Sequence, residues 1–128
     1  MADTDKVSFN MSVVDLGKID LLVEQGHYAS RTDFLVAAVR TQLLTHTATV
    51  QDVILRQSRL LGAAIYNRKM LEKLVAKGAQ LDVNVVGLCM FNKDVTPKLA
   101  QSAVRSLKVR GTLRASAEVK AALRDRME

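Results

Sequence analysis

The side chains of this chain that could carry covalent or metal chemistry are few and widely spaced. Cys89 is the single cysteine, and the two histidines, His27 and His46, have no Cys or His partner at the spacing of a metal site. Asp82 and Asp94 are isolated carboxylates, the first typical of a turn and the second of the first turn of a helix. The sequence has no Gly-rich phosphate loop and no HExxH or GxSxG motif. We therefore expect no catalytic site, no metal site and no cofactor.

The composition is that of a folded, basic protein. The 128 residues are 48% hydrophobic, and 19 Lys and Arg against 13 Asp and Glu give a net charge of +6. A basic balance favours an acidic partner, with nucleic acid as the first candidate. The apolar runs are too short to cross a bilayer, and the first residues lack the pattern of a signal peptide. Because a single cysteine also fits a reducing compartment, the sequence predicts a cytoplasmic protein with no membrane partner.

Two helical patterns follow a short alternating segment at the start of the chain. Residues 6–11 alternate polar and apolar, which is the period of a strand with one buried face. Ser12 and, later, Ser30 are each followed three residues on by an aspartate, the pattern of a capping box at a helix N-terminus. Gly26 is suited to end the first helix. The predicted order within residues 6–46 is strand, helix, tight turn, helix.

This segment, KVSFNMSVVDLGKIDLLVEQGHYASRTDFLVAAVRTQLL, resembles the ribbon-helix-helix domain of CopG/Arc/MetJ-type bacterial DNA-binding regulators. The resemblance covers about the first third of the chain and rests on the alternating strand, the GHYASRTDF inter-helix turn and the helix lengths. It implies a dimer, in which the strands of two chains pair into an antiparallel ribbon over four interlocked helices. One strand and two short helices cannot enclose a core alone, so dimerisation would be a condition of folding.

The resemblance also implies contacts with double-stranded DNA. The family's base-reading ribbon positions fall on three polar residues whose side chains can meet base edges in the major groove: Lys6, Ser8 and Asn10. Its phosphate contacts, at the N-terminus of the second helix, fall on Ser30, Arg31 and Thr32, where free amides and the helix dipole favour an anion. Outside that family pattern, the first three would be the solvated face of a strand and Ser30 a helix cap.

The distribution of charge opposes this assignment. Residues 1–46 hold four basic and six acidic residues, a net charge of −2, whereas residues 47–128 hold 15 basic and seven acidic residues, a net charge of +8. Because DNA affinity comes largely from neutralised phosphates, the first segment would bind weakly on its own. Either the second segment adds phosphate contacts, or its charge only maintains solubility and the first segment mainly dimerises.

The rest of the chain contains an internal repeat. Aligning Gly62, Gly87 and Gly111 superposes LLGAAIYNRKMLEKL, VVGLCMFNKDVTPKL and VRGTLRASAEVKAAL. Each copy continues from its glycine into a short extended run and then a helix N-cap residue, at Asn67, Asn92 and Ser116. This pattern predicts strand-plus-helix units stacked as a small parallel β/α solenoid.

Stacking would put equivalent positions of the three copies in register. The predicted buried positions are Leu60, Val85 and Val109 together with Ala64, Cys89 and Leu113, which makes Cys89 a packed thiol rather than a nucleophile. The glycines are expected where a strand crowds its helix.

The opposite strand face is apolar in the first two copies and basic in the third. Its apolar members are Leu61, Ala63, Ile65, Val86, Leu88 and Met90, and its basic members are Lys108, Arg110 and Arg114. An apolar sheet face must be covered, by the connector helix, by a second chain or by end-to-end partners. The basic row is either a soluble cap of the solenoid or a strip of secondary DNA contacts.

The predicted fold class is α+β, in three parts. A ribbon-helix-helix dimerisation and DNA-binding domain at 1–46 is followed by a helical connector at 47–58 and a repeat domain at 59–128. The leading hypothesis is a dimeric, sequence-specific DNA-binding protein, a transcriptional repressor, whose repeats fix the oligomeric state as a homodimer or a higher homo-oligomer. The alternative is a self-assembling scaffold or DNA-organising protein, such as a partition or conjugation accessory, that uses the first domain mainly to dimerise.

Nickel-responsive members of the family carry a C-terminal His/Cys cluster, and nothing in this sequence corresponds to it.

Overall fold

The computed structural model describes residues 4–57 and 59–128. Within those ranges the chain divides into two compact units, 4–52 and 53–128. None of the helices described has the length and hydrophobicity of a membrane span.

The first unit contains the two predicted helices. They are α1 (Val13–Glu24) and α2 (Arg31–Thr45), and a third helix, α3 (Thr47–Arg56), follows where the connector was predicted. The Ser30 hydroxyl caps α2 by accepting the Asp33 amide at 3.1 Å. The capping box predicted for α1 is wrong, because the Ser12 side chain, although at the N-cap, makes no capping hydrogen bond. The first residues of α1 are exposed, so water can satisfy their amides instead.

Gly26 ends α1 as predicted, by a left-handed turn. Its φ of +83° is a conformation that glycine adopts at little cost. The His27 amide donates to the Leu22 carbonyl and the Gly26 amide to the Val23 carbonyl, each at 3.0 Å, which is the Schellman pattern. The Tyr28 ring then meets the Phe34 ring edge-on at 5.0 Å and ties the turn to α2. The inter-helix turn is therefore fixed by its own sequence.

The strand predicted over residues 6–11 is not a strand in the single chain. Residues 4–12 form neither helix nor sheet, and the described strands do not pair with them. A strand is defined by the hydrogen bonds of a neighbour, and this unit contributes no second strand. Val7 and Phe9, predicted to face a core, are 82% and 64% exposed.

The second unit confirms the predicted strand-and-helix repeat. Its elements are β1 (Leu60–Tyr66), α4 (Arg68–Ala76), β2 (Leu81–Phe91), α5 (Pro97–Ala103), β3 (Val104–Arg114) and α6 (Ala117–Ala122), with a 3-10 turn at Arg124–Arg126. The sheet is parallel with the order β1-β2-β3. Consecutive strands are thus neighbours, as a solenoid requires.

The strand register is the one that the aligned repeats predict. Gly62, Gly87 and Gly111 lie side by side, and Ala64, Cys89 and Leu113 form the row two residues further along. Ala64, Val85 and Cys89 are buried against the helices, and Val109 and Leu113 pack on that core. Leu60 was predicted to be buried but is 49% exposed, because β1 is an edge strand.

The glycine row is explained by the neighbouring strand, not by a helix as predicted. A β-carbon on Gly87 would lie 2.1 Å from the Gly62 carbonyl oxygen, and one on Gly111 would lie 2.1 Å from the Gly87 carbonyl oxygen. Their φ angles are +134° and +126°. Only glycine permits this backbone and this contact together.

The second repeat departs from the predicted cap. Helix α5 begins five residues beyond Asn92, at Pro97, and its N-cap is Thr96. The Thr96 hydroxyl accepts the Leu99 amide at 3.2 Å. Asn92 instead continues the sheet hydrogen bonding, its amide donating to the Tyr66 carbonyl at 2.9 Å. A proline at the first helical position supplies a stronger start than the asparagine.

The two isolated carboxylates hold elements together. Asp94, predicted within a helix, lies in the turn before α5 and accepts the amide of Arg68, the first residue of α4, at 3.2 Å. Asp82, predicted in a turn, lies in β2 and accepts from the Arg105 guanidinium, at 3.0 Å from Nε, and from the Ser106 hydroxyl at 2.8 Å. These hydrogen bonds lower the pKa of Asp82 to about 2, with Arg105 the larger cause.

We expect Gly87→Ala to lower the free energy of unfolding by about 3 kcal/mol or more, since positive-φ strain and a backbone clash add. Gly78 also has a positive φ, +69°, but no described atom lies within 4 Å of where its β-carbon would be. Gly78→Ala should therefore cost only the strain, about 1 to 2 kcal/mol. Urea unfolding of both variants measures the difference, and equal losses would contradict the clash.

We expect Asp82→Asn to lower the melting temperature near neutral pH and to have no effect near pH 2. The pKa of Asp82 is depressed in the folded state, so its stabilisation is complete above the ordinary value of 3.8 and is lost as the pH falls towards 2. The effect is small because the pair is exposed. Thermal melts across acid pH test this; Arg105→Gln should remove the same pH dependence, and parallel profiles for wild type and Asp82→Asn would contradict it.

Candidate nucleic-acid interface

The candidate base-reading residues lie on the segment that precedes α1. Lys6, Ser8 and Asn10 are all exposed. Their neighbours Val7 and Phe9 are exposed too, so the alternating pattern has no buried side within one chain. Met11, in contrast, is partly buried and lines a groove together with Ile19, Leu22 and Phe34. The hydrogen-bonding and most of the apolar side chains of the segment are therefore exposed.

The candidate phosphate site is the beginning of α2. Ser30 uses its hydroxyl as the cap, and Arg31 and Thr32 are exposed first-turn residues. The predicted cap is confirmed here, and the helix dipole places partial positive charge at this point. These six candidate base and phosphate contacts thus lie in the first unit.

Arg31 is already paired with a carboxylate that the sequence patterns did not reveal. Its Nε and Nη2 donate to the two oxygens of Asp20 on α1, at 2.7 and 2.8 Å. These hydrogen bonds lower the pKa of Asp20 and raise that of Arg31. Both side chains are about half exposed, so the pair is accessible to a competing anion. A phosphate would have to displace Asp20 to receive the bidentate guanidinium.

The basic row of β3 is the other cationic candidate. Lys108 Nζ lies 3.3 Å from Glu128 Oε2, and Arg110 Nη1 lies 3.5 Å from the Glu128 backbone oxygen. Arg114 lines a recess beyond the ends of β2 and β3 that Lys93 also lines. Two members of the row therefore share an acidic neighbour at the end of the same unit.

Metal and thiol chemistry depend on where the possible metal ligands and the cysteine lie in the described residues. Across residues 4–57 and 59–128, no three His, Cys, Asp or Glu side chains are grouped to hold a metal ion. Cys89 is fully buried in the sheet core, and burial raises its thiol pKa to about 11. A thiol of that kind stays protonated, so the prediction of a packed cysteine is confirmed.

The chain thus joins a two-helix unit with a polar leading segment to a parallel strand-and-helix repeat. The chain matches the ribbon-helix-helix transcriptional regulator family over residues 2–120, and it belongs to that family. The match extends well past the first third to which the sequence resemblance was assigned, and it includes the repeat unit up to residue 120. Membership indicates a DNA-binding transcriptional regulator. No curated protein and no solved structure matches the chain.

We expect Asp20→Asn to raise the affinity for duplex DNA several-fold at low salt, because it frees the Arg31 guanidinium. Asp15→Asn is the matched control: it removes the same charge from α1 without removing the partner of Arg31. Fluorescence anisotropy with labelled duplexes measures both. Equal gains for the two variants would show that only net charge matters and that Arg31 is not a phosphate contact.

Proposed function

We propose that the protein is a dimeric, sequence-specific repressor of transcription. Residues 6–11 of two chains pair as an antiparallel ribbon, and the ribbon enters the major groove of DNA. The observation that carries this proposal is that the first unit cannot bury its own apolar side chains.

The first unit has almost no core of its own. Ile19 is the one buried residue of α1, and α2 has none. Large apolar side chains are exposed throughout the unit: Val7, Phe9, Val13, Val14, Leu21, Val36, Val39, Leu43, Leu44 and Val50. A unit of this size with so much exposed apolar surface is not stable by itself. A second copy of the same unit supplies the missing cover.

If the leading segments paired as strands, their polar and apolar side chains would lie on opposite faces of the ribbon. Val7, Phe9 and Met11 would turn towards the four helices, because successive side chains of a strand point to opposite faces. Lys6, Ser8 and Asn10 would then form the outer face of the ribbon. Lysine donates to guanine, asparagine forms a bidentate pair with adenine, and serine pairs with either. The ribbon therefore has the chemistry of direct base readout.

Phosphate contacts would fix the ribbon in the groove. Ser30, Arg31 and Thr32 present amides and a guanidinium at the start of α2, where an anion is favoured. Because residues 1–46 carry a net charge of −2, further cations would strengthen binding. Lys108, Arg110 and Arg114 are the candidates for these secondary contacts, in competition with Glu128.

Each of the three predicted parts of the chain has its own function in this proposal. Residues 1–46 dimerise and bind DNA, residues 47–58 connect, and residues 59–128 set the oligomeric state. We assign no enzymatic step to any of them. As a regulator that contacts DNA, the protein is placed in the cytoplasm.

A scaffold that organises DNA is the second candidate, and exposed apolar side chains on the repeat unit favour it. Leu61 and Ile65 of β1 are 58% and 47% exposed, whereas soluble sheets usually protect such an edge. A repressor protects one discrete operator in a nuclease footprint. A scaffold spreads the footprint outward as its concentration rises, so the footprint separates the two functions.

We expect Asn10→Ala to flatten the sequence preference of the protein and to weaken binding to its selected site by about 1 to 3 kcal/mol. Sites are selected from a random duplex library with the full chain, and each variant is then tested against matched and mutated sites. Arg31→Ala should weaken all sequences alike and reduce the salt slope by about one. Gln51→Ala, an exposed amide on α3, is the control. Full discrimination by Asn10→Ala would refute ribbon readout.

A further inference from the structure

The outer edge of β1 is an unprotected strand edge. The strand reads LLGAAIY over Leu60–Tyr66, with no charged residue and no proline. In the described part of the chain, its sheet partner is β2 and its other edge is unpaired. Leu60, Leu61 and Ile65 are 49%, 58% and 47% exposed. Isolated sheets normally carry a charge, a proline or a covering segment at such an edge.

The opposite edge of the same sheet is protected. Met127 forms a parallel bridge with Leu107 of β3, and the Glu128 amide donates to the Leu107 carbonyl at 3.0 Å. Lys108 and Arg110 lie on the same strand and contact Glu128. One edge therefore has both a covering segment and charges, and the other has neither.

Gly62 leaves the β1 edge open at its centre. Its φ of +128° matches those of Gly87 and Gly111, whose β-carbons would run into the carbonyl of the preceding strand. By the same geometry, a β-carbon on Gly62 would project outward from β1. No described heavy atom lies within 4 Å of that position. The glycine thus keeps the outer hydrogen-bonding edge clear for another strand.

We propose that β1 pairs antiparallel with β1 of a second copy of this chain, about a two-fold axis at Ala63. All seven residues then pair, with Leu61 opposite the partner's Ile65 and Leu60 opposite the partner's Tyr66. The pairing joins two three-stranded sheets into one and covers the exposed apolar residues of both edges.

A second copy fits this edge better than a head-to-tail stack. In a stack, β1 would meet β3 of the next chain, which would have to release Met127 and Glu128 first. The apolar β1 would also lie beside the Lys108 and Arg110 row. A two-fold pair requires no displacement, is self-complementary and closes on itself, so it does not lead to fibres.

This interface is separate from the proposed ribbon of the first unit and does not depend on DNA binding. If both interfaces join the same two chains, they reinforce one dimer. If they join different chains, they link dimers into a higher oligomer. Light scattering on the 128-residue chain distinguishes these assemblies, and the β1 pair is present in both.

Cysteine cross-linking of the full chain tests the pairing. Under copper–phenanthroline oxidation, Ala63→Cys should form a covalent dimer at least about tenfold faster than a surface control, because pairing gives the two thiols a high effective concentration. Ala121→Cys, on the exposed surface of α6, is that control. Wild-type Cys89 is buried and should not react. Leu61→Cys and Ile65→Cys should cross-link only when combined in one chain, because they oppose each other.

Three results would overturn the proposal. The interface would be refuted if none of the β1 cysteine variants cross-linked faster than Ala121→Cys. A ladder of covalent oligomers from a chain carrying both Ala63→Cys and Thr112→Cys would establish head-to-tail stacking, since the two positions are separated by β2 within one chain. A maximum for Leu61→Cys or Ile65→Cys alone would refute the axis at Ala63.

Discussion

A backbone carbonyl occupies the space that a β-carbon would need at Gly87 and again at Gly111, and the rest of the repeat unit depends on this contact. Because only glycine fits, each strand has one position that can lie beside the glycine of its neighbour. This fixes the register of all three strands. The register in turn aligns Val85 and Cys89 with their equivalents beneath the helices, where the core forms. A side chain at either position would push the strands apart and displace that core.

The sequence predicts this unit well and its ends poorly. Three aligned glycines and two of the three helix caps, Asn67 and Ser116, were enough for the strand order and register, because each repeat imposes the same local constraint. The prediction that Asn92 caps the second helix was wrong because Pro97 and Thr96, later in the same loop, start the helix more strongly. The cover that Met127 gives to β3 lies outside the repeat pattern and carries no periodic signal.

The sequence predicted the helix start of the candidate DNA site but not the ion pair of its arginine. Capping patterns are local, so they located Ser30 correctly at a helix start. The strand that the alternation predicted for Asn10 is not formed in the single chain. The ion pair between Arg31 and Asp20 joins two helices across the turn at Gly26, and no spacing rule predicts it. That pair matters, since it ties the cation expected to meet phosphate to a carboxylate of its own unit.

The two units share one physical property, which is apolar surface that a single chain does not cover. In the first unit it is spread over both helices and the leading segment. In the second, the exposed large apolar side chains of the sheet strands are Leu60, Leu61 and Ile65 of β1, whereas Leu88, beside Ala63, is only 7% exposed. In both proposals a copy of the same surface supplies the cover, so two-fold symmetry would satisfy both. In the proposed dimer, two identical ribbon strands would meet DNA, an arrangement that favours sites with inverted symmetry. The extra charge of the repeat unit would then be brought to the same DNA twice, which offsets the acidic balance of the unit that reads it.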